Sequence, residues 1–205
     1  MNASRTLLAA VLALFTLGAC ATPGQVKTDV WHSLTPAQQA EATVIEGALE
    51  KLVQECRAAS PSFPCTPPKI IVTGSGTTPQ YQRGGHSILV PAAALNPNPL
   101  FRATMAHEIG HAWWADASAD CQSEAKAYVC EQNANWHAGH VLIVGYGYND
   151  AAAVQMMWDQ LVFMVQNGGK PSHGHPDACA ELHAFERRVG RSPLYVCEER
   201  TGVAR

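Results

Sequence analysis

The run Leu100-Phe101-Arg102-Ala103-Thr104-Met105-Ala106-His107-Glu108-Ile109-Gly110-His111-Ala112-Trp113-Trp114-Ala115 decides how this chain reads. Asn98 can cap a helix whose first position is Pro99, and from there to Ala115 only Gly110 works against helix. Residues four apart on a helix share a face, so His107 and His111 can present their imidazoles to a single ion. Glu108 stands about 100° round the helix, where a carboxylate can take a proton from an activated water without being a ligand. Neutral imidazole suits zinc, which brings the pKa of water towards neutrality, so the expectation is one zinc ion per chain with Glu108 as general base. Gly110 costs the helix up to about 1 kcal/mol against Ala, which suggests that something approaches the backbone closely there.

Towards the N-terminus, Arg5 is followed by an apolar run from Leu7 to Leu17 and then by Gly18-Ala19-Cys20. The run is too short to cross a bilayer comfortably, and a basic residue followed by apolar and then small residues is the export pattern. Leu17-Gly18-Ala19-Cys20 resembles the bacterial lipobox, which implies a mature chain beginning at a lipid-modified Cys20. The resemblance implies an outer-membrane lipoprotein facing the periplasm. The expected division is a signal peptide over 1–19, a lipidated N-terminus and linker over 20–33, and one domain over 34–205. That length is enough for a single hydrophobic core. Loss of Arg5 takes the formal charge from −3 to −4, too mild to suggest a nucleic-acid partner.

Seven cysteines less Cys20 leave six, an even number in an exported chain, and hence three expected disulfides. Cys56 and Cys65 bracket a Pro-rich turn and are the natural local pair. If Cys121 and Cys130 share a straight helix, they stand about 13.5 Å apart, too far to bond. They are then expected to pair with Cys179 and Cys197.

Thr35-Pro36-Ala37-Gln38 is a capping box, and Val44, Ile45, Ala48, Leu49, Leu52 and Cys56 follow at helical spacing. Strands are expected over 69–73, 80–83 and 86–90. Asn149 can cap a helix ended by Gly168-Gly169, and a last short helix is expected over 177–189. The fold class is therefore α+β, mostly helical, with a small sheet or hairpin ahead of the His-Glu-x-x-His helix.

Strand, strand and then that helix is the order found in zincin peptidases, and residues 69–131 resemble the core of a small gluzincin-type metallopeptidase. The resemblance implies that the last strand before the helix, Ser87 to Val90, forms the cleft edge along which an extended protein or peptide substrate pairs. It also implies a third ligand downstream. Asp116, Asp120, Glu124 and Glu131 are the candidates. If the second helix starts near Asp120, an antiparallel hairpin puts Glu124 opposite His111. Glu124-Ala125-Lys126-Ala127 also resembles the gluzincin signature, so Glu124 is the preferred ligand with Glu131 the alternative. The implied chemistry is peptide hydrolysis by activated water, with Glu108 carrying the proton to the leaving amine. Tyr146, Tyr148, His173 and His175 are candidates for stabilising the oxyanion, whereas His137 and His140 read as structural or surface histidines. Two other classes stay open: an inactive zincin-scaffold binding or assembly lipoprotein, and an amidase acting on cell-wall peptides.

Overall fold

The computed structural model describes residues 31–60, 65–115, 121, 124–167 and 177–191. The expected signal peptide over 1–19, Cys20, Asp116, Asp120, His173, His175 and Cys197 lie outside them. Among the described residues no helix is long and apolar enough to cross a membrane.

The expected capping box opens helix α1 (Pro36–Ala59): Thr35 Oγ1 accepts from Gln38 N at 3.3 Å, and Gln38 Oε1 accepts from Thr35 N at 2.8 Å. Ala42, Ile45, Ala48, Leu49, Leu52 and Val53 form its buried face, while Val44 turns outward. Strands β1 (Lys69–Thr73), β2 (Gln80–Gln82) and β3 (Ser87–Pro91) make a mixed sheet in the order β1-β3-β2. β3 pairs parallel with β1, Ile70 opposite Ile88, and antiparallel with β2, Tyr81 opposite Ile88. The expectation that Ser87 to Val90 forms an edge is therefore corrected. A tight turn over Arg83–Gly85, closed by His86 in the left-handed region at φ 43°, folds β2 back on β3 and leaves β2 as an edge.

Helix α2 (Pro99–Gly110) starts at Asn98, whose side chain accepts from Phe101 N at 2.8 Å, and widens into a π-helical turn over His111–Ala115. It packs against β2, α3 (Glu124–His140) and α4 (Asp150–Gln166), so it is the central element. Its own buried side chains are joined in the core by Ile45, Leu49, Ile70, Ile88, Leu142, Met157 and Leu161. At its outer end the Arg102 guanidinium donates twice to Glu41, at 2.8 and 2.7 Å, and once to the Tyr148 hydroxyl at 2.9 Å. Glu41 is only 2% exposed, so this pairing satisfies a carboxylate buried on α1. Helix α5 (Ala178–Arg188), capped by Asp177, packs on α3 and α4.

Cys56 bonds Cys65, as expected. Cys121 bonds Cys130, which corrects the pairing of those two with Cys179 and Cys197. The two residues do not share a helix: α3 begins only at Glu124, and Cys121 precedes it with its Cα 6.0 Å from that of Cys130. Cys179 is disulfide-bonded as well.

Gly110 has the role its position implied. A Cβ built there would stand 2.7 Å from Ala134 O and 3.2 Å from Ala134 Cα, in the backbone of α3. Gly47 in α1 has nothing within 4 Å of such a Cβ. Gly110→Ala is expected to destabilise the fold by about 1–3 kcal/mol through overpacking against a helix backbone. Gly47→Ala should stabilise it by up to about 1 kcal/mol through helix propensity, and urea unfolding of both variants checks the contrast.

Candidate metal centre

The close approach of α2 and α3 brings three buried side chains to a point. His107 Nε2, His111 Nε2 and Glu131 Oε2 form a triangle with sides of 3.0 Å between the histidines and 3.1 Å from the carboxylate to each. The three residues are 4%, 6% and 5% exposed, and they are the one metal-competent group among the described residues. Nitrogen and oxygen donors at about 2.0–2.1 Å in a tetrahedron stand about 3.3–3.4 Å apart, so the triangle is close to the size zinc requires.

The chemistry of the donors points the same way. Two imidazole lone pairs and a carboxylate cannot face one another at 3 Å without a cation among them, either a proton or a metal ion. Burial by itself would lower the pKa of His107; its hydrogen bond to Glu131 and the charges of Glu108, Glu131 and Glu181 outweigh that and raise it to about 9. Burial would raise the pKa of Glu131, but the two histidines hold it far below the usual carboxylate range. At neutral pH, without a metal ion, the pocket therefore holds a protonated His107 against an ionised Glu131.

Asn135, one turn beyond Glu131 on the same face of α3, orients this set. Its Oδ1 lies 2.8 Å from His107 Nδ1, and its Nδ2 donates towards Glu181 Oε2 on α5 at 3.5 Å. With the amide turned by Glu181, its oxygen faces the ring, so Nδ1 carries the hydrogen and Nε2 is left to bind. The ring of His111 stacks on Tyr81 of β2, centroids 6.4 Å apart and planes within 6°. Tyr81 N also donates to Glu108 Oε2 at 2.7 Å, which ties that carboxylate to the edge of the sheet.

Among the described residues the structure joins Glu131, the alternative ligand of the sequence reading, to the histidines. Glu124 is the first residue of α3, seven residues or two turns from Glu131, about 10.5 Å along the helix axis. Glu131 follows His111 by twenty residues. Asn135 was missed altogether; the signal available was a lone amide one turn after an acidic residue, on a face otherwise made of Ala127, Ala134 and Ala138.

The other candidates are engaged elsewhere. Tyr148 accepts from Arg102, and Tyr146 sits with its ring under the same guanidinium, its buried hydroxyl pushed above the ordinary phenol range. His140 lies 2.6 Å from Glu55, and half-buried His137 is lowered to about 4 by burial and the charges of Arg188 and His140. Comparison with protein-family models, curated proteins and solved structures finds no match to this chain.

Elemental analysis of purified protein should find one bound metal ion per chain, lost in His107→Ala and Glu131→Ala and retained in Glu124→Ala. Because a metal ion must displace the proton on His107, apparent metal affinity should rise about tenfold per pH unit until it levels near pH 9, the value to which that imidazole is raised. The ion-free protein gains stability from that proton below pH 6.5, the ordinary histidine value, and loses it as pH rises through about 9. Thermal melting across this range, with and without zinc, checks the sign.

Proposed function

We propose that this chain is a zinc-dependent peptidase carried on a lipoprotein that faces the periplasm. The observation that carries the reading is the triangle of His107, His111 and Glu131, with Glu108 on the same helix between the two histidines. Zinc bound there supplies Lewis acidity towards a carbonyl and brings the pKa of water towards neutrality.

The chain's own residues do the rest. His107, with its ring fixed by Asn135, His111, with its ring against Tyr81, and Glu131 are the residues that would hold the ion. Glu108 takes the proton of the attacking water and carries it to the leaving amine. Its bond from Tyr81 N sets that carboxylate beside the β2 edge, along which an extended substrate would lie. The substrate class is then a protein or peptide, with cell-wall peptides as the variant for an amidase.

The bond between Tyr81 N and Glu108 also favours a second reading, in which Glu108 is a structural tie and the domain is a binding or assembly scaffold without activity. Glu108→Gln separates the two. On casein, unfolded envelope protein and isolated cell-wall fragments, the peptidase reading expects hydrolysis that falls by about 10²–10⁴-fold in Glu108→Gln while bound zinc stays at one per chain. Hydrolysis of none of these by the zinc-loaded parent, or equal rates for parent and variant, would move the scaffold reading to the front.

A further inference from the structure

The strand that borders the metal centre turns one residue's backbone outward, and Glu108 already occupies it. Lys69 N donates to His86 O at 3.0 Å, so His86, Ile88 and Val90 direct their backbone groups to β1, and Ser87 and Leu89, which alternate with them, direct theirs to β2. Gln82 and Gln80 stand opposite those two residues and complete the ladder. Tyr81 stands opposite Ile88, so its N–H and C=O point away from the sheet. In a strand of three residues that leaves a single outward N–H, and Glu108 Oε2 accepts from it at 2.7 Å.

The two partners differ in freedom. Tyr81 is anchored by its ring, which stacks on His111, and by its hydroxyl, which donates to His86 Nδ1 at 3.2 Å, while His86 Nε2 donates to Thr66 O at 3.1 Å. Glu108 reaches the N–H with a long, rotatable side chain. Solvent can reach this contact: Gln80 and Gln82 are exposed and Tyr81 and Glu108 half-buried, in contrast to the buried His107 and His111.

We infer that the bond between Tyr81 N–H and Glu108 is a latch that an extended peptide opens: a main-chain carbonyl of the peptide takes the N–H, and the carboxylate is released. This rests on the peptidase reading, in which Glu108 is the base, and it makes peptide binding the event that frees the base. In the free chain the carboxylate is held on the sheet edge, and a ligand with no main-chain carbonyl to place there leaves it held. A hydrogen bond to a carboxylate is roughly twice as strong as one between neutral groups, so the closed latch dominates in the free chain and weakens peptide binding by the fraction closed.

The test uses the full chain, freed of metal by chelation so that no bond is cleaved, with N-acetyl-tetra-alanine amide as the probe. Nuclear magnetic resonance titration gives the dissociation constant, and hydrogen exchange of the Tyr81 amide reports the latch. That amide should be protected in the free parent and should exchange at least about tenfold faster in Glu108→Ala. Peptide affinity should rise about tenfold or more in Glu108→Ala, and by a smaller factor in Glu108→Gln, whose amide oxygen accepts without charge. Replacing the Tyr81 N–H by an ester oxygen, with the α-hydroxy acid of tyrosine installed by nonsense suppression, should weaken peptide binding and abolish the gain from Glu108→Ala. Equal affinity in parent, Glu108→Gln and Glu108→Ala overturns the inference, as does a gain in Glu108→Ala that survives the ester, or binding of the probe to none of them. If Glu108→Ala is unfolded, protection of Tyr81 in the parent and the affinity of Glu108→Gln decide the matter. No readout here needs turnover, so a chain that behaves as expected yet hydrolyses nothing refutes the peptidase reading alone, and an active peptidase whose Tyr81 amide is indifferent to Glu108 refutes the latch alone.

Discussion

Two helix backbones in contact set the dimensions of this domain. Gly110 has no side chain, so α3 lies against α2 at Ala134 closer than any other residue would permit. A glutamate side chain is short, and only at that separation does Glu131 reach both histidines while Asn135 meets His107 on the other side of the contact. The fold and the metal centre therefore share one constraint. The helix propensity lost at Gly110 is the condition for placing a ligand from a second helix.

A second theme is the burial of carboxylates, each held by nitrogen donors of which at least one comes from a different element. Glu41 of α1 is paired with Arg102 of α2, Glu186 of α5 with His183 and the indole of Trp158, and Glu131 of α3 with two histidines. Leaving any of them unpaired would incur several kcal/mol of desolvation, roughly what a buried ion requires. The partners differ in kind. Arginine keeps its charge at any accessible pH, so Glu41 and Arg102 can only hold the chain together. Imidazole can exchange its proton for a metal ion, so the same electrostatic solution around Glu131 is open to chemistry.

What could be read from the sequence was what local geometry determines. His107 and His111 follow from helical spacing alone, the caps at Thr35, Asn98 and Asn149 from their side chains, and the Cys56–Cys65 bond from the turn it closes. The mostly helical α+β class followed from the same periodicities. The failures lie where one long-range distance was inferred from another. A single straight helix through Cys121 and Cys130 excluded a bond that exists, and the approach of Glu131 to both histidines depends on how α2 and α3 pack, which helical spacing does not fix. β3 became the central strand because β1 pairs with it across the intervening hairpin, a parallel pairing that alternation of side chains does not reveal.

The π-helical turn at His111–Ala115 has a bearing on how such a sequence can change in length. A π turn accommodates one residue more than an α turn, so the chain holds a spare position just after the second histidine. A one-residue deletion within Ala112–Ala115 could be absorbed by tightening the turn to ordinary pitch, with His107 and His111 still on one face. The same deletion between the histidines would swing one of them about 100° from the other. Length variation among descendants of this chain is therefore steered to one side of the motif by the backbone itself.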